Sequence, residues 1–387
     1  MTGAAETVRQ TIAGLRSGRP FRDVAEALET LRSLIAEIPA QAADWPATAE
    51  QTLLPARQAS PAHAVPPPPL AAELLAAADT ARTAVFGQRV YCRGLIEFSN
   101  YCRNDCLYCG IRCSQRQVRR YRMDPAEILA ACAEGYRLGF RTFVLQSGED
   151  PWYDDERLAA LVGSIRRTWP DCAVTLSIGE RSAASYRQLY AAGARRYLLR
   201  HEAASPALYR TLHPPAMRQA NRLACLEDLQ AIGYQVGAGM MVGAPGQTLA
   251  DLAADLIYLQ NLRPQMVGIG PFLPAPGTPL ADQPAGSVGL CLIMIALTRL
   301  LLPAALIPAT TAMGTADPLG REKALAAGAN VVMPNLTPLA HRADYTLYAG
   351  KICTGEEAAE CLACLEKRIQ QAGFSLDMAR GDAPGFD

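Results

Sequence analysis

The sequence has no excess charge of either sign, because 37 Lys plus Arg are balanced by 37 Asp plus Glu. Nucleic-acid backbones and acidic membranes are drawn to basic patches, so this balance gives no reason to expect either as a partner. Between Met1 and Phe21 there is no apolar segment of the kind a secretory signal needs. The twelve cysteines are therefore expected in a reducing cytoplasm, where clustered thiols serve metal or redox chemistry more than disulfides. No apolar run is long enough to cross a membrane. The most hydrophobic one, Leu290 to Leu302, contains Arg299 and reads as a buried helix.

What is present fits an α/β class. The 387 residues are half hydrophobic, enough for a single (β/α)8 barrel of about 250 residues with an N-terminal helical extension. Glu6 to Leu15 and Phe21 to Ile38 have helical periodicity, and Val24, Ala27, Leu28, Leu31, Leu34 and Ile35 fall on one side of the second segment. These fill an N-terminal helical segment, 1–38. Residues 39–69 form an Ala/Pro-rich linker ending in four prolines, a composition suited to stiff, extended chain. Leu70 to Phe86 predicts a further helix, which opens a barrel domain over 70–373, and 374–387 remain as a tail.

From Tyr91 onward, apolar strand-like runs alternate with amphipathic helices. The runs lie near Cys92 to Phe98, Thr142 to Gln146, Ala173 to Ser177, Arg196 to Arg200, Gln235 to Met241, Met266 to Gly270, Ala305 to Thr310 and Asn330 to Met333. Pro125 to Leu138 follows the N-cap Asp124 and stops at Gly139, and Asp154 to Thr168 is a second clear helix. Eight alternating units predict a closed TIM-type barrel whose working residues sit just after the strand C-termini.

Directly after the first run stands Cys102-Arg103-Asn104-Asp105-Cys106-Leu107-Tyr108-Cys109. Three thiolates can hold three irons of a 4Fe-4S cluster and leave one open for a ligand. A structural zinc would want a fourth ligand, usually from a second separated pair, and no such pair is close by. Cys113 keeps a rival reading open: as a fourth ligand it would close the cluster and make the protein a non-catalytic electron carrier. Cys132, Cys225 and Cys291 lie on apolar helix faces and read as buried small hydrophobes.

Other strand ends are polar. The second ends in Gln146-Ser147-Gly148-Glu149-Asp150, the third in Ser177-Ile178-Gly179-Glu180 and the fourth in Leu199-Arg200-His201-Glu202. A glycine edge such as Gly148, beside Glu149, lets backbone approach a bound amino acid. Glu202 can accept from an ammonium or ribose hydroxyls, and Arg200 and Arg222 can hold a carboxylate. The Thr310–Thr311 pair after the seventh strand reads equally as mouth-facing or as ordinary β-branched packing.

The spacing CxxxCxxC with Tyr108 before its last cysteine resembles the radical SAM signature. Ile96-Glu97-Phe98-Ser99-Asn100, Val144 to Asp150, Tyr197 to Glu202, Val267 to Phe272 and Ile307 to Gly314 resemble, more narrowly, the HydE family of FeFe-hydrogenase maturases, over about Cys92 to Cys364. Biotin synthase-like and methylornithine synthase-like enzymes share the wider group. The cysteine loop alone does not separate them; Arg200-His201-Glu202 and Ala309 to Gly314 favour the HydE type.

The resemblance implies an internal cavity in the barrel. A 4Fe-4S cluster would be held by Cys102, Cys106 and Cys109, with S-adenosylmethionine (SAM) lined by Tyr108, Ser177, Arg200, Glu202 and Arg222. Reductive cleavage of SAM would yield methionine and a 5'-deoxyadenosyl radical. Thr310 and Thr311 would help form an anion-binding floor for a small organometallic or amino-acid-derived substrate, and other maturases and a reductant protein would be the partners. Cys353, Cys361 and Cys364, with Cys361 opening a helix to about Gln371, would carry an accessory 2Fe-2S or 4Fe-4S cluster completed by solvent. The Pro-rich segment and Cys113 have no counterpart in the family pattern.

Overall fold

The computed structural model describes residues 2–36, 69–355 and 358–386. The Ala/Pro-rich segment lies outside these residues except for Pro69, which belongs to the helix Pro69–Phe86 and not to the linker. The strands are β1 (Arg89–Cys92), β2 (Gly94–Ser99), β3 (Thr142–Ser147), β4 (Ala173–Ser177), β5 (Arg196–Leu198), β6 (Gln235–Val242), β7 (Met266–Pro271), β8 (Val331–Val332) and β9 (Ser375–Asp377). β2 to β7 pair in sequence order, all parallel.

Closure comes through weaker links. Met266 bridges Leu306, Pro308 bridges Val331, and Asn335 bridges Leu95, so eight strand positions form a ring. The barrel expected from eight βα units is the fold observed. Its first run is split at Arg93 into β1 and β2, and β1 pairs below with β8 and β9. The seventh run, expected over Ala305 to Thr310, is no regular strand, because Pro308 can donate no ladder hydrogen bond. Asn330 compensates: its fully buried side-chain oxygen accepts from the Ile307 N–H at 2.8 Å and from Arg299 at 3.1 Å.

Helices cover the outside. Pro125–Arg137 starts with a capping box at Asp124, and Asp155–Thr168 is capped by Asp154. Val288–Leu301 is buried nearly all round, and Arg299 within it donates to the carbonyls of Gly328 and Pro303, both at 2.8 Å. Cys132, Cys225 and Cys291 are buried.

The N-terminal helices Thr2–Arg16 and Val24–Ala36 join the same core, the second packing on Leu249–Leu262. The second starts at Val24, later than the expected Phe21, because Asp23 caps it, accepting from the Glu26 N–H at 2.9 Å, and the expected end at Ile38 lies outside the described residues. Ala27, Leu31 and Leu34 are buried, whereas Val24, in the opening turn, is exposed. The Gln260 side chain bonds both the N–H and the C=O of Phe21, at 2.8 and 3.0 Å, which ties the entering loop to the barrel.

The C-terminal residues close the barrel's lower end. Arg196, fully buried, donates to Asp382 at 2.7 Å and to the Arg380 carbonyl at 2.8 Å, and Gln235 donates to Asp382 at 2.6 Å. Burial pushes the Asp382 carboxyl up, but Arg196 and Gln235 outweigh it and its pKa is lowered. Asp382→Ala, which strands a buried guanidinium, is expected to cost about 3–5 kcal/mol, read from the denaturant midpoint. With a lowered folded pKa, this contribution is complete above the unfolded carboxyl's value of about 3.9 and fades as pH falls below it. An unchanged midpoint would show that the tail contributes nothing to closure.

Candidate active site

The loop after β2 carries the cysteines and is pinned from three sides. Arg103 N–H donates to the Glu149 carbonyl, Leu107 N–H to that of Leu212 and Gly110 N–H to that of Leu347, each at 2.9 Å. Those acceptors follow β3, β5 and β8, so barrel closure itself shapes the loop. Gly148 is required beneath it: a Cβ there would lie 2.2 Å from the Tyr101 carbonyl oxygen and 2.8 Å from the Cys102 side chain. Burial raises the pKa of the Cys102 and Cys106 thiols and pushes that of Cys109 up to about 12. These thiols hold their protons until a metal displaces them.

Cys102, Cys106, Cys109, Tyr108, Gly148, Glu149, Ser177, Arg200, Glu202, Arg222 and Thr310 all line one cavity of about 290 Å³ at the strand C-termini. Thr311 does not line it. As first residue of the helix Thr311–Ala316 it lies beyond its N-cap, Thr310, whose hydroxyl accepts from the Met313 N–H at 3.3 Å. Cys113 is exposed and outside the cavity; its thiol bonds the Asp105 carboxylate, which Arg112 and Ser114 also engage.

Glu149 is occupied structurally. One carboxylate oxygen accepts from the Glu180 N–H at 2.8 Å and the other from Arg103 at 3.0 Å. It thereby supports Glu180, which lies 2.9 Å from Arg222. Glu180 belongs to the polar end of the third strand-like run, yet its partner Arg222 comes from the next βα unit and no local pattern announces it. His213 was also missed. Burial lowers its pKa to about 4, so the ring is neutral; Nδ1 lies 2.9 Å from the Tyr209 carbonyl as donor, and Nε2 faces the Tyr108 hydroxyl at 3.5 Å.

The electrostatics of the cavity are unfinished. Arg200 Nε and Nη2, Glu202 Oε2 and Arg222 Nε are buried without hydrogen bonds. Arg200 and Glu202 approach to 3.3 Å, an ion pair without hydrogen-bond geometry. Buried charged atoms in this state are costly, and a zwitterionic ligand with a carboxylate and an ammonium would satisfy both signs. Glu202 also has φ 66°, a left-handed backbone that a residue with a Cβ adopts at a cost of about 1–3 kcal/mol. Three thiols beside Arg and Glu groups whose buried atoms are ion-paired but not hydrogen-bonded fit a cluster with an adjoining amino-acid ligand. Leu198, Leu199, Met241, Pro271 and Leu273 supply an apolar wall.

The C-terminal cysteines are less gathered. Cys361 is buried against Cys353, which with burial raises its thiol pKa, while Cys364 is exposed. The Arg321 guanidinium lies 3.6 Å from the Cys353 sulfur. The described helix, Ala358–Gln371, contains Cys361 in its interior, so that residue does not open it. Among the described residues, no three His, Cys, Asp or Glu side chains converge on a single-ion position. A cluster differs from such a site because each thiolate binds its own iron.

Cys106→Ala is expected to abolish cluster retention after anaerobic reconstitution, with iron and sulfide assayed against protein. Cys113→Ala is expected to leave both at the parent level. Loss of the cluster in Cys113→Ala would mean a closed, four-cysteine site.

The radical SAM superfamily model matches residues 96–259, which span β2 to the helix Leu249–Leu262. An [FeFe] hydrogenase maturase subunit HydE from Thermotoga maritima is 49% identical over 296 residues, 76% of this chain and 84% of the relative. A 3-methylornithine synthase from Methanosarcina barkeri is 32% identical over 267 residues, 68% and 75% of the two chains. The crystal structure of a methylornithine synthase superposes with a TM-score of 0.70 at 28% identity, covering 84% of this chain and 92% of the other.

Proposed function

The chain belongs to the HydE family within the radical SAM superfamily, and from that premise we propose that its mouth cavity binds SAM against a 4Fe-4S cluster in the service of FeFe-hydrogenase maturation. The observation that carries this reading is the convergence of three half-buried cysteines with hydrogen-bond-deficient Arg200, Glu202 and Arg222 on one cavity. The bound cluster supplies the electron that cleaves SAM reductively to methionine and a 5'-deoxyadenosyl radical.

Cys102, Cys106 and Cys109 would hold the cluster, which with three protein thiolates would keep a position open to an exogenous ligand. Arg200 and Arg222 direct guanidinium N–H groups at the SAM carboxylate, and Glu202 accepts from its ammonium or ribose hydroxyls. Glu180 and the Arg200 carbonyl fix the Arg222 fork, at 2.9 and 3.2 Å. Tyr108 closes one side, its hydroxyl turned to His213. The apolar wall keeps water from the reacting carbon. Below SAM, Thr310, with Ala312, Tyr345 and Tyr348, forms a floor for a small organometallic or amino-acid-derived substrate.

The protein works beside other hydrogenase maturases; a reductant protein and a cytoplasmic location complete the proposal. No described helix is long and apolar enough to cross a membrane. Cys353, Cys361 and Cys364 are assigned an accessory cluster with a solvent-derived ligand.

Reconstituted protein given dithionite and SAM is expected to form 5'-deoxyadenosine and to restore hydrogenase activity to an extract lacking this maturase. An electron carrier would form none, and a biotin or methylornithine synthase would cleave SAM without restoring hydrogenase. Glu202→Gln and Arg222→Ala are each expected to weaken SAM binding by about 10–100-fold, roughly 1.4–3 kcal/mol, with the cluster intact. Unchanged affinity in both would remove these residues from the SAM site. The triple Cys353/Cys361/Cys364→Ala protein is expected to lose iron yet keep SAM cleavage and maturation; loss of maturation alone would promote that site to an essential one.

A further inference from the structure

Behind the cavity, outside its lining, stands a buried pair that the proposed SAM chemistry does not use. His201 and Asp255 are both fully buried, and His201 Nε2 lies 3.1 Å from Asp255 Oδ1. On the other side of the ring, Nδ1 accepts from the Gly239 N–H at 3.2 Å. That contact fixes the tautomer. Nδ1 is occupied as an acceptor, so the single proton sits on Nε2 and is donated to Asp255. The same Asp255 oxygen accepts from the Ala204 N–H at 2.6 Å.

These bonds bracket one residue. The Gly239 carbonyl accepts from the Glu202 N–H at 3.0 Å, while its own N–H is held by His201. Asp255 ties down both His201, just before Glu202, and Ala204, two residues after it. Gly239 must be glycine for this: its φ is +154°, and a Cβ would meet the Gly268 carbonyl oxygen at 2.1 Å. Tyr258, from the same helix as Asp255, packs on the imidazole with centroids 4.8 Å apart. Glu202 holds a left-handed backbone that local sequence does not favour, and such a conformation persists only where surrounding contacts over-determine it.

We infer that His201 and Asp255 are positioning residues that lock Glu202 in its left-handed conformation and so hold its carboxylate, which makes no hydrogen bond through Oε2, toward the bound SAM. This inference rests on the SAM site proposed above. Without the lock, Glu202 relaxes toward an ordinary backbone and its carboxylate turns away from the ligand. The cysteine loop, which is anchored elsewhere, is untouched.

The test is a double-mutant cycle on reconstituted protein, with SAM affinity read by titrating the electron paramagnetic resonance signal of the reduced cluster. Asp255→Asn and His201→Asn are each expected to raise the SAM dissociation constant about tenfold, while iron content and the SAM-free spectrum stay at parent values. Asp255→Asn added to Glu202→Gln is expected to cause no further loss, because the pair acts only through that carboxylate. Independent, additive losses would overturn the inference, as would parent affinity in both single variants while Glu202→Gln is weakened. If Glu202→Gln itself binds SAM normally, the site assignment fails instead. Should Asp255→Asn not fold, His201→Asn, which keeps an acceptor for the Gly239 N–H, completes the same cycle.

Discussion

Closure of a parallel sheet with too little regular ladder is the constraint on which the rest of this molecule depends. Between β7 and β2 the ring is joined through isolated bridges and short runs of backbone hydrogen bonds, such as Val267 N–H to Leu306, Ala309 N–H to Val331 and Leu336 N–H to Leu95. Side chains supplement this sparse pairing: Asn330 and Arg299 hold the seventh position, and Arg93 donates to the Gly381 carbonyl at 3.1 Å. Only once the ring is closed do the loops after β3, β5 and β8 meet the cysteine loop and hold its backbone. The cluster site is thus a consequence of closure; no local fold of the cysteine segment would suffice.

That dependence explains which parts of the fold were legible in the sequence. Apolar runs, the cap at Asp124 and the alternation of elements are local signals, and they survive into the structure. The irregular seventh strand was misjudged because Ala305 to Thr310 is apolar enough to read as regular, while Pro308 and Asn330 act across the barrel. Likewise the C-terminal tail has no strong periodicity. Asp382 becomes structural only by meeting Arg196 and Gln235, 186 and 147 residues earlier in the chain.

The candidate site divides along the same line. The cysteine trio was legible because its ligand spacing is itself the chemistry, and the strand-end residues because a barrel places strand C-termini at one mouth. Thr311 was misread: two adjacent threonines cannot both face a cavity when the second begins a helix that the first caps. Glu149 reaches the cavity, yet its carboxylate is spent on Arg103 and Glu180. The roles of Glu180, His213 and Asp255 are set by distant partners, so sequence pattern gave them no distinguishing mark.

For the proposed function, the cavity must bind opposite charges in a buried place without letting them neutralise each other. Arg200 and Glu202 show how this is done: they stand 3.3 Å apart, close enough to offset burial but out of hydrogen-bond alignment. A relaxed backbone at Glu202 would free the carboxylate to turn onto Arg200 and complete that pair, spending on the protein the interactions meant for the ligand. Holding Glu202 at φ 66° prevents this. The cost of the strained residue therefore appears as preorganisation, since the ligand finds donors and acceptor separated and need not break a salt bridge to enter.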